Sequence, residues 1–209
     1  MSSPWELTAV LFAIAYLLLA IRQSVWCWPA ALVSTSLYLF IMYDAGLYME
    51  SALQVFYIAI ALYGWQQWSA GGEAAEPAEL RGPVSPPEAD TASSHQAGRS
   101  LRVSTWPPRR HFLVVSLVII ASAVSGALLS GYTDAALPYA DSFTTWGALI
   151  ATWMVARKIL ENWLYWFVID SVSVYLYLTR ELYLTAGLFM LYLVLIIVGY
   201  RAWRRSMHS

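Results

Sequence analysis

The sequence predicts an all-α integral membrane protein with seven transmembrane helices. They are arranged as two parallel three-helix repeats joined by one further helix, a 3+1+3 pattern. Three observations predict it. Hydrophobic residues fill 59% of the 209 positions and charged residues only 12%, against about half and about a quarter in soluble domains. Seven apolar runs approach the roughly 17–25 residues that a helix needs to cross a bilayer. The chain also matches itself, without a gap, when displaced by 135 residues.

Composition narrows the function classes. Disordered chains are rich in charge and poor in aromatics, whereas this one has 11 Trp and 14 Tyr. Many of these lie near the ends of apolar runs, where amphipathic rings suit the membrane–water interface. The net charge of −1 provides no basic surface for nucleic acid. The single cysteine, Cys27, can form neither an internal disulfide nor a cysteine metal cluster, and reads as a small apolar residue near a helix start. His95, His111 and His208 lack metal-ligand spacing. A phosphate-cradling P-loop and a nucleophile–base pair are both missing from the sequence. We therefore expect no enzyme activity, cofactor or metal.

The runs follow in order. The first, 4–21, comes after Met1-Ser2-Ser3-Pro4, which has no basic n-region, and no small-residue cleavage site follows Ala20; it is expected to be a retained span. The second and third are 26–43 and 47–68. A polar stretch, 69–110, contains Pro77, Pro83, Pro86, Pro87, Pro107 and Pro108 and reads as a flexible linker. The fourth run is 111–131. The fifth, 142–157, is diluted by Thr144, Thr145, Gly147 and Thr152, small groups that suit helix packing in membranes. The last two are 162–179 and 182–203.

Seven spans place eleven of the twelve basic residues on one side: Arg22, Arg81, Arg99, Arg102, Arg109, Arg110, Arg157, Lys158, Arg201, Arg204 and Arg205. Only Arg180 falls on the other. Positive loops stay cytoplasmic, so the linker and C-terminus are expected inside and the N-terminus outside. Omitting 142–157 would scatter the basic residues over both sides, so the asymmetry supports that span.

The displacement by 135 residues aligns 28–68 with 163–203. Nine pairs are identical: Trp28/Trp163, Val33/Val168, Ser36/Ser171, Leu47/Leu182, Tyr48/Tyr183, Leu53/Leu188, Tyr57/Tyr192, Gly64/Gly199 and Trp68/Trp203. The organisation that follows is a first repeat over 1–68, the linker 69–110, a joining helix 111–131, a second repeat over 139–203 and a tail 204–209. A single joining helix makes the repeats parallel. Transporters built from parallel repeats bind substrate at the repeat interface near the bilayer midplane.

Polar side chains within spans are costly and mark substrate paths. Glu50, Gln54 and Tyr57 share one helix face, and Trp163, Trp166 and Asp170 share another. Glu161 and Asn162 stand at a span start, and Asp170 is expected to be buried. A face of rings, an amide and a carboxylate suits a flat polar ligand, and aromatic faces attract cationic rings. Trp28 and Trp163 read equally as ligand-stacking rings or interfacial anchors. Tyr48, Tyr183, Trp68 and Trp203 lie at span ends and are expected as anchors, and Gly64 and Gly199 as points of close helix contact.

Trp26-Cys27-Trp28-Pro29, the stretch from Leu47 through Glu50 and Gln54 to Tyr57, and Tyr63-Gly64-Trp65 through Trp68 resemble the first half of PnuC-type nicotinamide riboside transporters. Glu161-Asn162-Trp163 through Asp170, Leu182 to Thr185, and Gly199 to Trp203 resemble the second. The resemblance spans nearly the whole chain except the linker. It implies a bacterial inner-membrane protein with a SWEET-like fold, a homotrimer in the lipid bilayer. It further implies facilitated diffusion of nicotinamide riboside, trapped by cytoplasmic phosphorylation. Carried over by motif, the substrate-binding residues are Trp28, Ser34, Glu50, Gln54, Tyr57, Trp163, Trp166, Asp170 and Tyr192. Ser34 stands where the family commonly has Asn, and Ala31 where Gly is frequent. Related transporters carry thiamine, riboflavin or deoxynucleosides, and a membrane scaffold or sensor is the alternative outside transport.

Overall fold

The computed structural model describes residues 4–44, 48–69, 101–132, 137–179 and 183–208. Among them the chain forms seven α-helices: α1 (Pro4–Ile21), α2 (Cys27–Asp44), α3 (Tyr48–Ser69), α4 (Pro108–Tyr132), α5 (Pro138–Ala156), α6 (Asn162–Thr179) and α7 (Tyr183–Ser206). No β-strand occurs among the described residues, where Ser104 and Ile159 form an isolated parallel bridge. Arg81, Arg99, Arg180, His95, Leu47 and Leu182 lie outside the described residues, as does the side chain of Glu50.

Helix boundaries depart from expectation where local chemistry extends a helix beyond its apolar run. α4 begins at Pro108 and α5 at Pro138, ahead of the expected 111 and 142. Proline's fixed φ and missing N–H suit a first helical position. α7 continues to Ser206 with Arg204 and Arg205 in its last turn, where cations complement the helix dipole. By length and composition, Pro108–Tyr132 and Ala186–Ser206 are long and apolar enough to cross a membrane, and Thr8–Ile21 and Cys27–Ile41 are shorter apolar stretches. α3 and α6 are more polar because they carry Glu50, Gln54, Gln66 and Gln67, and Asn162 and Asp170.

Consecutive helices pack as neighbours: α1 on α2, α2 on α3, α4 on α5, α5 on α6 and α6 on α7. The two halves meet where α3 packs on α5 and α1 on α7. On α4 much of the surface is left bare, with Phe112, Leu113, Ile119 and Ile120 exposed.

The turns after α1 and α5 have the same geometry. Gln23 and Lys158 are the non-glycine residues with positive φ among the described residues, at 54° and 50°. Gln23 N–H donates to the Ala20 carbonyl and Ser24 N–H to Leu19. Likewise Lys158 N–H donates to Val155 and Ile159 N–H to Met154. This is the Schellman arrangement, in which a left-handed residue lets two N–H groups cap the last helical carbonyls. The next turn also recurs: Cys27 N–H to Ser24 and Trp28 N–H to Val25, against Asn162 N–H to Ile159 and Trp163 N–H to Leu160. Each bond is displaced from its counterpart by the same 135 positions as the sequence identities.

The end of the expected linker differs from a free tether. Ser104 N–H donates to the Lys158 carbonyl at 3.0 Å, and Leu160 N–H returns a bond to the Ser104 carbonyl at 2.8 Å. Leu101 and Val103 pack against the buried core. Residues 101–107 therefore run as a strap along the α5–α6 connection.

Candidate functional site

A layer of tryptophans closes the basic end of the bundle. Trp28 opens α2 and Trp163 opens α6, only 1% and 2% exposed. Their rings lie against Gly64 and Gly199; an added Cβ at either glycine would come within 2.4 Å of the ring. The third helix of each half supplies the partner. Trp28 meets Trp68 edge-on at 5.4 Å between centroids, and Trp163 meets Trp203 at the same 5.4 Å. Both glycines thus serve as close contacts, as expected. The anchor expectation fails for Trp68 and Trp203, which are 5% and 0% exposed. Their indole N–H groups reach across the halves to the carbonyls of Ala156 and Ala20, and those hydrogen bonds make burial affordable. Tyr183, at 67% exposed, does stand at the surface.

The indole N–H groups of Trp28 and Trp163 are buried without a hydrogen-bond partner. Lys158 places its ammonium 4.6 Å from the centroid of the Trp68 ring. Burial pulls this lysine below its ordinary range, opposed by the nearby Cys27 sulfur. Cys27 itself is fully buried at the start of α2, as its sequence context implies.

The remaining expected site residues lie along the helices. Asp170 is 3% exposed on α6, within electrostatic reach of Tyr192 on α7; Tyr38 of α2 approaches Tyr192 from the other half. Phe189 meets Tyr192 edge-on with centroids 5.5 Å apart. Gln54 and Tyr57 are half-buried on α3, and Tyr57 lies within electrostatic reach of Tyr16 on α1. Ser34 is buried and donates its hydroxyl to the Ala9 carbonyl at 2.9 Å, tying α2 to α1. Trp166 is half-buried against the core. Asp170 and Tyr192 thus lie within electrostatic reach of each other, and Trp163 faces Gly199 and Trp203.

A groove of about 410 Å³ lies elsewhere, between α4, α5 and α6, and none of the nine expected residues lines it. At its mouth His111 Nδ1 sits 3.0 Å from the Tyr165 hydroxyl, and Nε2 sits 3.9 Å from Glu161. Trp106 N–H donates to the other Glu161 oxygen at 3.3 Å. Glu161 and His111 were each legible as polar groups at span ends. Their pairing joins helices far apart in sequence, so no local signal could show it.

Seven α-helices among the described residues, two of them long and apolar enough to cross a membrane, are consistent with a helical membrane protein. The chain belongs to the nicotinamide mononucleotide transporter family, whose model matches residues 3–205. It is similar to the riboflavin/roseoflavin transporter RibM of Streptomyces davaonensis, with 26% identity over 188 residues, covering 90% of this chain and 78% of the relative. It is also similar to the nicotinamide riboside transporter PnuC of Escherichia coli, with 27% identity over 178 residues, covering 84% and 74%. Among solved structures, the crystal structure of the vitamin B3 transporter PnuC matches with a TM-score of 0.67 at 20% identity, covering 97% of this chain and 82% of that one. That last likeness is one of fold.

Proposed function

We propose that the chain carries nicotinamide riboside across the bacterial inner membrane by facilitated diffusion, with cytoplasmic phosphorylation trapping the product. The match of the family model to residues 3–205 carries this reading, and the similarity to the Escherichia coli transporter supports the substrate. In this reading the helices form parallel 3+1+3 repeats of SWEET-like arrangement, and the chain assembles as a homotrimer. Turns, glycine contacts and tryptophan pairs that recur 135 positions apart support the repeat. The clustering of basic residues on the connections that meet at the tryptophan layer supports a cytoplasmic C-terminus and an external N-terminus.

The site in this reading comprises Trp28, Ser34, Glu50, Gln54, Tyr57, Trp163, Trp166, Asp170 and Tyr192. The cationic pyridinium ring stacks on Trp163 or Trp166, a contact of about 0.5–2 kcal/mol. Gln54, Tyr57 and Ser34 hold ribose hydroxyls or the carboxamide. Access alternates as the two triplets rock about the site. The similarity to RibM favours a second reading, in which the cargo is riboflavin. Flux into protein-loaded liposomes separates them. Labelled nicotinamide riboside should equilibrate without ATP. Riboflavin moving in its place would assign the second reading, and flux of neither of these, nor of thiamine or a deoxynucleoside, would point to a scaffold or sensor.

A further inference from the structure

The contacts that join the two halves at the basic end form two shells. The outer shell is exposed. Gln23, just beyond α1, donates to the Ser206 hydroxyl at the end of α7 at 2.7 Å, and Arg157, just beyond α5, donates to the Tyr63 hydroxyl of α3 at 3.0 Å. The inner shell is buried. It consists of the indole bonds from Trp68 to Ala156 and from Trp203 to Ala20, with the Lys158 ammonium over the Trp68 ring. The rings divide along the same line. Trp28 pairs with Trp68 and Gly64 inside the first half, and Trp163 with Trp203 and Gly199 inside the second. Across the line, Trp68 meets Trp203.

A seam of this make can part without dismantling either half. Each crossing hydrogen bond is exchanged for one to water, and such exchanges are nearly balanced. The closed layer also leaves the indole N–H groups of Trp28 and Trp163 without a protein acceptor. Buried polar groups in a fixed interior are ordinarily paired, so two orphaned donors mark a surface that is not permanently shut. We propose that the tryptophan layer is the gate at the basic end of the transport path. As the triplets rock, the Trp68–Ala156 and Trp203–Ala20 bonds break together and the layer parts between Trp68 and Trp203. This rests on the transport reading and adds to it the contacts that hold that end closed.

The chain carries its own probe of the gate. Cys27 is the one cysteine in the sequence. It is fully buried, in the same packed cluster as Trp28, Trp68, Trp163 and Trp203. A thiol reagent reaches it only when the layer opens, so its modification by a small methanethiosulfonate in purified full-length protein reads the open fraction. Trp203→Phe should speed modification about threefold and Trp68→Phe about tenfold, the larger effect falling where the carbonyl loses its indole and keeps no backbone partner. Gly126→Ala, whose added methyl would strike Tyr139 on the α4–α5 contact, destabilises the bundle outside the layer and should leave the rate unchanged. A second arm holds the seam shut. In a Cys27→Ser background, Gln23→Cys with Ser206→Cys, joined by a short cleavable bifunctional thiol reagent, should stop liposome flux of whichever cargo the parent moves, and cleavage should restore it. Equal modification rates in the parent and both tryptophan variants, an equal acceleration by Gly126→Ala, or full flux through linked protein would each overturn the gate. Absence of flux in the unlinked protein would instead strike the transport reading, and the Cys27 rates would still decide whether the seam parts.

Discussion

Trp68 and Trp203 stand 6.1 Å apart, and each donates its indole N–H into the opposite half of the molecule. Trp68 reaches the Ala156 carbonyl at the end of α5, at 3.1 Å. Trp203 reaches the Ala20 carbonyl near the end of α1, at 2.9 Å. The exchange is reciprocal, but its two acceptors are one position out of the 135-residue register, since Ala20 corresponds to Val155. Ala20 also accepts from Gln23 N–H, whereas among the described residues Ala156 has only the indole.

Trp68→Phe should therefore destabilise more than Trp203→Phe. Leaving a buried carbonyl unpaired costs about 1–3 kcal/mol, and Ala20 keeps its backbone partner. Thermal unfolding of both variants in one detergent ranks them. Because the rings touch, the double variant should depart from additivity.

Gly64→Ala and Gly199→Ala should each destabilise strongly. The added methyl would lie 2.4 Å from a buried indole, and overpacking costs about 1–3 kcal/mol or more. Shrinking the facing ring restores space, so Gly64→Ala with Trp28→Phe should recover part of the lost melting temperature.

Gln23→Gly should stabilise. A left-handed conformation costs a non-glycine residue about 1–2 kcal/mol, partly offset by the freer unfolded chain and by the lost exposed bond to Ser206. Lys158→Gly relieves the same strain and also removes the ammonium over Trp68, a contact of about 0.5–2 kcal/mol. Its gain should be smaller, and paired melting curves measure the difference.

Lys158 also sets a pH dependence. Its folded pKa is lowered by burial while the unfolded value stays near 10.5. Between the two the unfolded chain holds more protons, so stability rises as pH climbs through that window. The parent's melting temperature should therefore gain on that of Lys158→Met as pH climbs through this window.

Asp170→Asn should weaken nicotinamide riboside uptake about tenfold or more, the scale of one charge-assisted hydrogen bond. Half-saturation in liposome flux checks it. Tyr192→Phe should show a smaller loss, because the phenol contributes a neutral bond.

Helix order and extent were legible because spans are written in composition, and composition is local. The boundaries that moved, at Pro108 and Pro138, did so because proline extends a helix into polar sequence. The 135-residue self-match was legible as identities, and the Schellman turns at Gln23 and Lys158 fall at the same displacement; no glycine marks either turn, so periodicity alone passes over them. The burial of Asp170 could be read from its depth in a span. The fate of Trp68 and Trp203 could not, because an aromatic at a span end looks the same whether it meets lipid or another helix. The strap at Ser104 was equally hidden, since one backbone bridge needs no particular side chain.

The crossed indole bonds have a consequence for assembly. A surface in which each partner gives the other what it receives is isologous, the geometry of a two-fold dimer. On the proposed repeat, the covalent joint between the triplets is then a convenience of stoichiometry rather than a structural necessity. Two polypeptides cut within the segment between Ser69 and Leu101 should reassociate through the tryptophan layer and co-purify.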